Sequence, residues 1–447
     1  MKATLASPGR NWFGQPPGLT ILFLTETWER FSYYGMSALL IYYMSKQLQF
    51  SQADASMIFG LYTGGVYLTP ILGGYIADRW MGQRRAVLLG GTLMAIGHFA
   101  LAWEAQFYTG LLLICLGNGL FLPSLPSQIG DLYGDDDPRR GGAYNVYYVG
   151  VNLGGLLAPL VCGTLGEVYG WHWGFGAAGT GMCLGLAIYV LGQRYLPAPR
   201  APSASVRVEE QQPRGKIRLA ALLPLLGVGL AVMLFRSAYA QSGNTVALWV
   251  DQSVDLRLLG WQLPATWVQA LDPLFVFLFT PFLVAHWRRQ AQRGREPTQL
   301  GKMAMGAAGV ALAYLLLAAV AAASSAGDGP VSVAWVLAFF VIYTLAELFI
   351  LPVGLSLFAR LAPPGLGATL IAAWFLAAFA GNLLSGLVGR LWLPLGPAGF
   401  FSLLAGLAGA AALALGGLCW RWLPVSPSHK PPASACVPRR PGRPARP

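Results

Sequence analysis

Twelve stretches of about 20 largely apolar residues, separated by charged or Pro/Gly-rich breaks, run through this chain, and that length is what a helix needs to cross the hydrocarbon of a bilayer. Lipid offers no hydrogen bonds, so each stretch must satisfy its own backbone, and the helix does that within one segment. The spans are expected near residues 19–44, 56–78, 85–104, 107–132, 143–166, 172–195, 217–250, 265–287, 301–323, 332–360, 366–389 and 398–421. With 55% hydrophobic and 11% charged residues, the chain lies far from the balance of a soluble domain. An all-α polytopic membrane protein is the expected fold class.

The net charge of +12 would suggest a nucleic-acid partner if the basic residues formed one surface. They do not. When the spans alternate sides from a cytoplasmic N-terminus, 25 of the 30 Lys and Arg fall on the inner side, three (Lys46, Arg257, Arg390) on the outer side, and two (Arg30, Arg236) within spans. That asymmetry is the positive-inside signature of an even span count with both termini in the cytoplasm of a bacterial-type inner membrane. The longest break is rich in Pro, Arg and Glu and divides the spans six and six. The expected organisation is an N-terminal six-helix bundle (1–195), a cytoplasmic linker (196–216), a C-terminal six-helix bundle (217–422) and a disordered cytoplasmic tail (423–447). Two six-helix halves around a midplane site are the architecture of a rocking transporter.

Charge inside the spans is costly and so points to function. The first span reads ETWERFSYYG, and Glu26, Glu29, Arg30 and Tyr33 fall at helical spacings of three and four, which lets Glu26, Arg30 and Tyr33 converge on one interior. A structural ion pair pinning two helices is the plain alternative. The five cysteines show no metal-ligand spacing, so neither a metal site nor a disulfide framework is expected. The first apolar segment follows some eighteen residues and carries three charges, unlike the uncharged core of a cleavable signal. No GxSxG, HExxH or histidine cluster argues for an enzyme.

GGYIADRWMGQRRAV, residues 73–87, resembles the cytoplasmic signature of the major facilitator superfamily, in which the Asp and Arg belong to the inner gate; here they are Asp78 and Arg79. ETWERFSYYG resembles the ExxERFxYYG signature of the proton-dependent oligopeptide transporter (peptide transporter) family. GNGLFLPSLPSQIGDLY in the fourth span, residues 150–182 and AELFILPVGLS in the tenth are similar to the same family. The resemblance covers about residues 25–386. It implies the major facilitator fold, with 12 helices in two six-helix bundles, and transport of di- or tripeptides with the proton as coupling ion and no other cofactor. It also implies proton-coupling roles for Glu26, Glu29 and Arg30. Tyr33, Tyr34, Tyr67, Asn152 and Trp374 are the implied peptide-site lining, and Glu347 the partner of the peptide amino terminus. An ammonium entering a low-dielectric cavity does need a carboxylate.

Five positions depart from the family pattern. Ser37 stands where a second first-helix arginine is usual, and Leu122 where a fourth-helix lysine is usual. FRSAYAQ in the seventh span puts Arg236 at a tryptophan position and Ala240 at a glutamate position, and Asp272-Pro273 replaces Asn-Pro in the eighth. Breaking a buried pair costs roughly 3–5 kcal/mol, whereas losing both partners can be nearly neutral. Ser37 with Ala240 is such a double loss. Arg236 precedes Ala240 by one helical turn, so it is expected to face the cavity and to contact Asp272, Glu26 or a substrate carboxylate. Arg236 and Asp272 are therefore added to the candidate substrate site. Three outcomes stay open on these residues: a proton-coupled carrier of peptides or peptide-like molecules, an uncoupled carrier of a modified peptide or other amine-bearing metabolite, and a peptide sensor that does not transport.

Overall fold

The structure, a computed structural model, describes residues 14–133, 137–197, 219–258, 260–325, 329–360 and 367–422. Six helices make the N-terminal half: α1 (Pro17–Tyr42), α2 (Gln52–Ile76), α3 (Gln83–Ala100), α4 (Phe107–Asp131), α5 (Arg139–Ala158) and α6 (Trp171–Gly192). The C-terminal half contains α7 (Leu219–Tyr239), α8 (Thr245–Ser253), α9 (Leu271–Gln292), α10 (Gln299–Ser325), α11 (Val333–Glu347), α12 (Leu351–Arg360), α13 (Gly367–Gly389) and α14 (Trp392–Trp422). The expected linker from residue 198 onward and the expected tail 423–447 lie outside the described residues.

Among the described residues, nine helical segments are long and apolar enough to cross a membrane by length and composition alone. The other three expected spans fall short for local reasons. Helix α1 carries Glu26, Glu29 and Arg30, and α3 spends its first turn on Gln83, Arg84 and Arg85. The tenth span is cut between α11 and α12 at Leu348–Ile350. Pro352 has no N–H for the carbonyl of Leu348 and its ring would crowd that carbonyl, so a continuous helix stops there. The seventh span is also two helices and not one, because the polar run Ala240–Gly243 forms a 3₁₀ turn between α7 and α8. Both breaks put freed backbone groups in protein, where they find partners. Ile350 N–H donates to the Glu347 carbonyl at 2.8 Å, and Asn244 N–H donates to the Gln241 carbonyl at 3.1 Å.

Two short strand pairs were not foreseen from the sequence. Val254–Asp255 pairs in parallel with Val331–Ser332, and Arg257–Leu258 pairs antiparallel with Trp261–Gln262. Two-residue strands are too short for an alternation of apolar and polar residues to show.

The helices pack as two six-helix bundles, the major facilitator fold. In the first, α1 lies against α5 and α6, α3 against α4 and α6, and α2 against α4; in the second, α10 lies against α11 and α14, and α7 against α13 and α14. The bundles meet where α13 crosses α2 and where α9 meets α5. At the first crossing Gly60 faces Gly386 so closely that a Cβ on Gly60 would sit 2.5 Å from the Gly386 Cα. Small residues let helix backbones approach in this way.

Candidate functional site

The charged turn of α1 folds onto itself. Arg30 Nε donates to Glu26 Oε1 at 2.8 Å, one turn earlier, and the same nitrogen lies 2.8 Å from Glu29 Oε2. All three side chains are buried, and the Arg30 guanidinium also lies 5.7 Å from the centre of the Tyr33 ring. Gly154 of α5 packs against the Thr27 carbonyl and the Arg30 Cβ, which brings α5 onto this turn. With Leu122 at the usual lysine position, Arg30 itself is the counter-ion of Glu26. Three carboxylate oxygens, Glu26 Oε2 and both of Glu29, are buried with no hydrogen-bond partner among the described residues, although Glu29 Oε2 keeps its ion pair with Arg30.

From Arg30 a layer of tyrosines leads across to the second bundle. Tyr33 packs edge-on to Tyr34 with ring centres 5.2 Å apart and stacks at 6.5 Å on Tyr62. Tyr67 of α2 lies under the Arg236 guanidinium, 4.5 Å from the ring centre, and Tyr239 lies on the same guanidinium at 5.6 Å. Arg236 thus lies against two aromatic rings while buried to 7% exposure. The expectation that Arg236 contacts Asp272 or Glu26 is corrected here: among the described residues it forms no ion pair with either. The aromatic faces carry the guanidinium, and Asp272 is engaged elsewhere.

Asp272, at the start of α9, accepts a hydrogen bond from Thr344 Oγ1 at 2.6 Å on its Oδ1. Its carboxyl lies beside that of Glu347, the last residue of α11. Glu347 is 8% exposed, and its Oε2 has no hydrogen-bond partner among the described residues. Arg236 and Glu347 lie close enough to feel each other's charge, yet they do not pair. The structure therefore brings Arg30, Tyr33, Tyr34, Tyr67, Arg236, Asp272 and Glu347 around one interior, with Tyr34 sensing both Arg30 and Glu347.

The remaining candidates are placed less centrally. Asn152 of α5 is buried but spends its Nδ2 on the Tyr148 carbonyl at 2.9 Å. Trp374 packs edge-on to Phe358, with ring centres 5.4 Å apart, and against Gly354, contacts that belong to the apolar core. Asp78 and Arg79 lie in the π-turn Ala77–Met81, where the Arg79 guanidinium rests 5.8 Å from the centre of the Tyr75 ring.

Sequence reasoning missed Tyr239, which lies beside Arg236, Glu347 and Asp272, and Thr344, which holds Asp272. Tyr239 follows Arg236 by three residues and Thr344 precedes Glu347 by three, so helical spacing on each charged residue would have found both. It also missed how the bundles close at one end without an Arg–Glu pair at Ser37 and Ala240. Glu167 accepts from the backbone N–H groups of Ala265 and Thr266 at 3.0 and 2.8 Å. Ser56 Oγ donates to Asn244 Oδ1 at 2.9 Å, Tyr42 Oη to the Ala247 carbonyl at 3.1 Å, and Lys46 pairs with Asp251 at 2.7 Å.

The POT family profile matches residues 84–210 and 206–393. An uncharacterized transporter of Bacillus subtilis, YclF, is 32% identical, covering 94% of this chain and 96% of its own. The chain belongs to the POT family. The peptide transporter YePEPT of Yersinia enterocolitica is 30% identical over 87% of this chain and 90% of its own. Among solved structures, a POT peptide transporter in complex with sulfate superposes with a TM-score of 0.84 at 30% identity, covering 93% of this chain and 96% of the other. A POT family transporter in complex with 5-aminolevulinic acid gives a TM-score of 0.82 at 27% identity, covering 92% and 98%. The ionisable side chains in the spans of this POT chain, Glu26, Glu29, Arg30, Arg236 and Glu347, are buried in protein and not turned to lipid.

Proposed function

We propose that this POT protein carries di- or tripeptides, or peptide-like molecules with a free amine and an acidic end, across a bacterial inner membrane by alternating access. Supporting relatives include a di-/tripeptide transporter of Lactococcus lactis, 31% identical over 82% of this chain and 88% of its own. One observation carries the substrate class. Buried Arg236 and buried Glu347 sense each other's charge but form no ion pair, which leaves a cation and a carboxyl for the two ends of a zwitterion. Arg236 would take the substrate carboxylate in place of the cations lost at Ser37 and Leu122. Glu347 would take the amine, with Tyr33, Tyr34, Tyr67, Asn152 and Trp374 as lining.

Coupling to the proton would run through Glu26, Glu29 and Arg30, where two buried carboxylates share one guanidinium. The Lys/Arg asymmetry supports a topology in which both termini would lie in the cytoplasm, Asp78 and Arg79 would form part of an inner gate on that side, and the halves 1–195 and 217–422 would rock about the site. The double loss at Ser37 and Ala240 favours a second reading, an uncoupled carrier. Uptake of labelled dialanine into proteoliposomes under an inward proton gradient separates the two. The coupled reading expects accumulation above equilibrium in the wild type and none with Glu29→Gln, while exchange of labelled for unlabelled dialanine persists. Accumulation unchanged by Glu29→Gln removes that residue from coupling, and equilibration without accumulation in the wild type supports the uncoupled carrier.

A further inference from the structure

The carboxyl groups of Asp272 and Glu347 lie beside each other where their two helices pack, and neither has a hydrogen to offer the other when both are ionised. Thr344 supplies one hydrogen to Asp272, on Oδ1. The groups that face the pair from the surrounding helices are Tyr34 of α1, Tyr148 of α5, Arg236 and Tyr239 of α7, and Tyr343 of α11. Arg236 is the cation among them, and it is held by Tyr67 and Tyr239 outside ion-pair distance of either carboxyl. Tyr343 is occupied, donating its hydroxyl to the Tyr239 carbonyl at 2.6 Å. Beyond one hydroxyl each, Thr344 on Asp272 and Tyr239 on Glu347, and the unpaired charge of Arg236, two negative charges side by side have no ion-pair partner here, and Glu347 Oε2 has no hydrogen-bond partner among the described residues.

A single proton resolves the arrangement. On Glu347 it makes that carboxyl the donor and Asp272 the acceptor, already fixed by Thr344; the pair then carries one negative charge instead of two. We propose that Asp272 and Glu347 form a proton-binding pair in the second bundle, sharing one proton that is released to solvent when a substrate ammonium enters. The exchange conserves charge: the shared proton leaves as the ammonium's positive charge arrives, and the pair with its cation keeps the same net charge. The release half rests on the reading of Glu347 as the amine partner, whereas the proton itself does not. The position of Asp272 at the head of α9, across from the break after α11, makes the pair a link between two helices of the second bundle.

The test counts protonated carboxyls in the purified full-length protein by infrared spectroscopy near neutral pH, without ligand. Wild type is compared with Asp272→Asn, with Glu347→Gln and with the double variant. Sharing predicts that each single variant loses one carboxylic-acid band and that the double variant loses no more than either single. Should one single variant fail to fold, the wild type and the double variant still decide. A difference of one proton upholds the pair; none, or two, overturns it. Dialanine and N-acetyl-dialanine are then added, with binding followed by tryptophan fluorescence. Release predicts that dialanine removes the same band and that the acetylated peptide does not. Dialanine that binds and leaves the band in place overturns the release half. A failure of dialanine to bind counts against the amine-site reading alone, since the ligand-free count stands by itself.

Discussion

Arg30 and Glu26 are joined at 2.8 Å through a single nitrogen, Nε, which also lies 2.8 Å from Glu29. One guanidinium therefore compensates two carboxylates within a turn and a half of α1. Removing it would leave both buried and unpaired, at a cost of roughly 3–5 kcal/mol. Arg30→Ala is expected to lower the unfolding midpoint of the detergent-purified protein markedly. Combining a neutral residue at 30 with Glu26→Gln and Glu29→Gln restores most of the loss. A triple variant less stable than Arg30→Ala alone would contradict the compensation.

Arg236 owes its position to the faces of Tyr67 and Tyr239, and a planar guanidinium stacks on aromatic rings as an ammonium does not. Arg236→Lys is expected to weaken binding of dialanine about tenfold, the equivalent of ~1.4 kcal/mol. The amidated peptide, lacking a carboxylate, is expected to lose much less. Competition against a labelled peptide measures both, and equal losses would remove Arg236 from carboxylate recognition.

The crossing of α2 and α13 depends on two glycines, Gly60 and Gly386, with no room for a side chain between them. Gly60→Leu is expected to hold the bundles apart at that crossing and to slow transport in proteoliposomes at least about tenfold, a barrier change of ~1.4 kcal/mol. Gly82, where a Cβ would meet nothing within 4 Å, is not a suitable control because its φ of 77° disfavours other residues; Gly406, on an open face of α14, is. Gly406→Leu should leave transport intact.

Glu167 ties the bundles by accepting two backbone N–H groups at the start of the 3₁₀ turn Ala265–Ala270. Hydrogen bonds to a charged group contribute about 1.5–3 kcal/mol each. Glu167→Ala is expected to open this end more often. Cys162, buried beside Gly35 at the same end, reports it. In a protein whose other cysteines are serine, alkylation of Cys162 by a maleimide should speed up severalfold, and an unchanged rate would show that Glu167 does not hold the closure.

The sequence by itself determined the helical membrane class and the family. Those follow from apolar length and from local motifs, which are properties of neighbouring residues. It also put Glu26, Arg30 and Tyr33 on one face of the first helix, because helical spacing places i and i+4 side by side whatever else the chain does. Helix breaks were harder: Pro352 was in view, but the stop after Glu347 depends on freed backbone groups finding partners inside the protein. What only the tertiary structure decided is how charges from different helices meet. Arg236 was expected to seek an acid and instead lies against tyrosines, because α2 and α7 bring the rings of Tyr67 and Tyr239 to 4.5 and 5.6 Å from its guanidinium while no carboxylate comes within ion-pair distance. Asp272 and Glu347, 75 residues apart, touch because α9 begins where α11 ends, and no spacing rule along the chain encodes that contact.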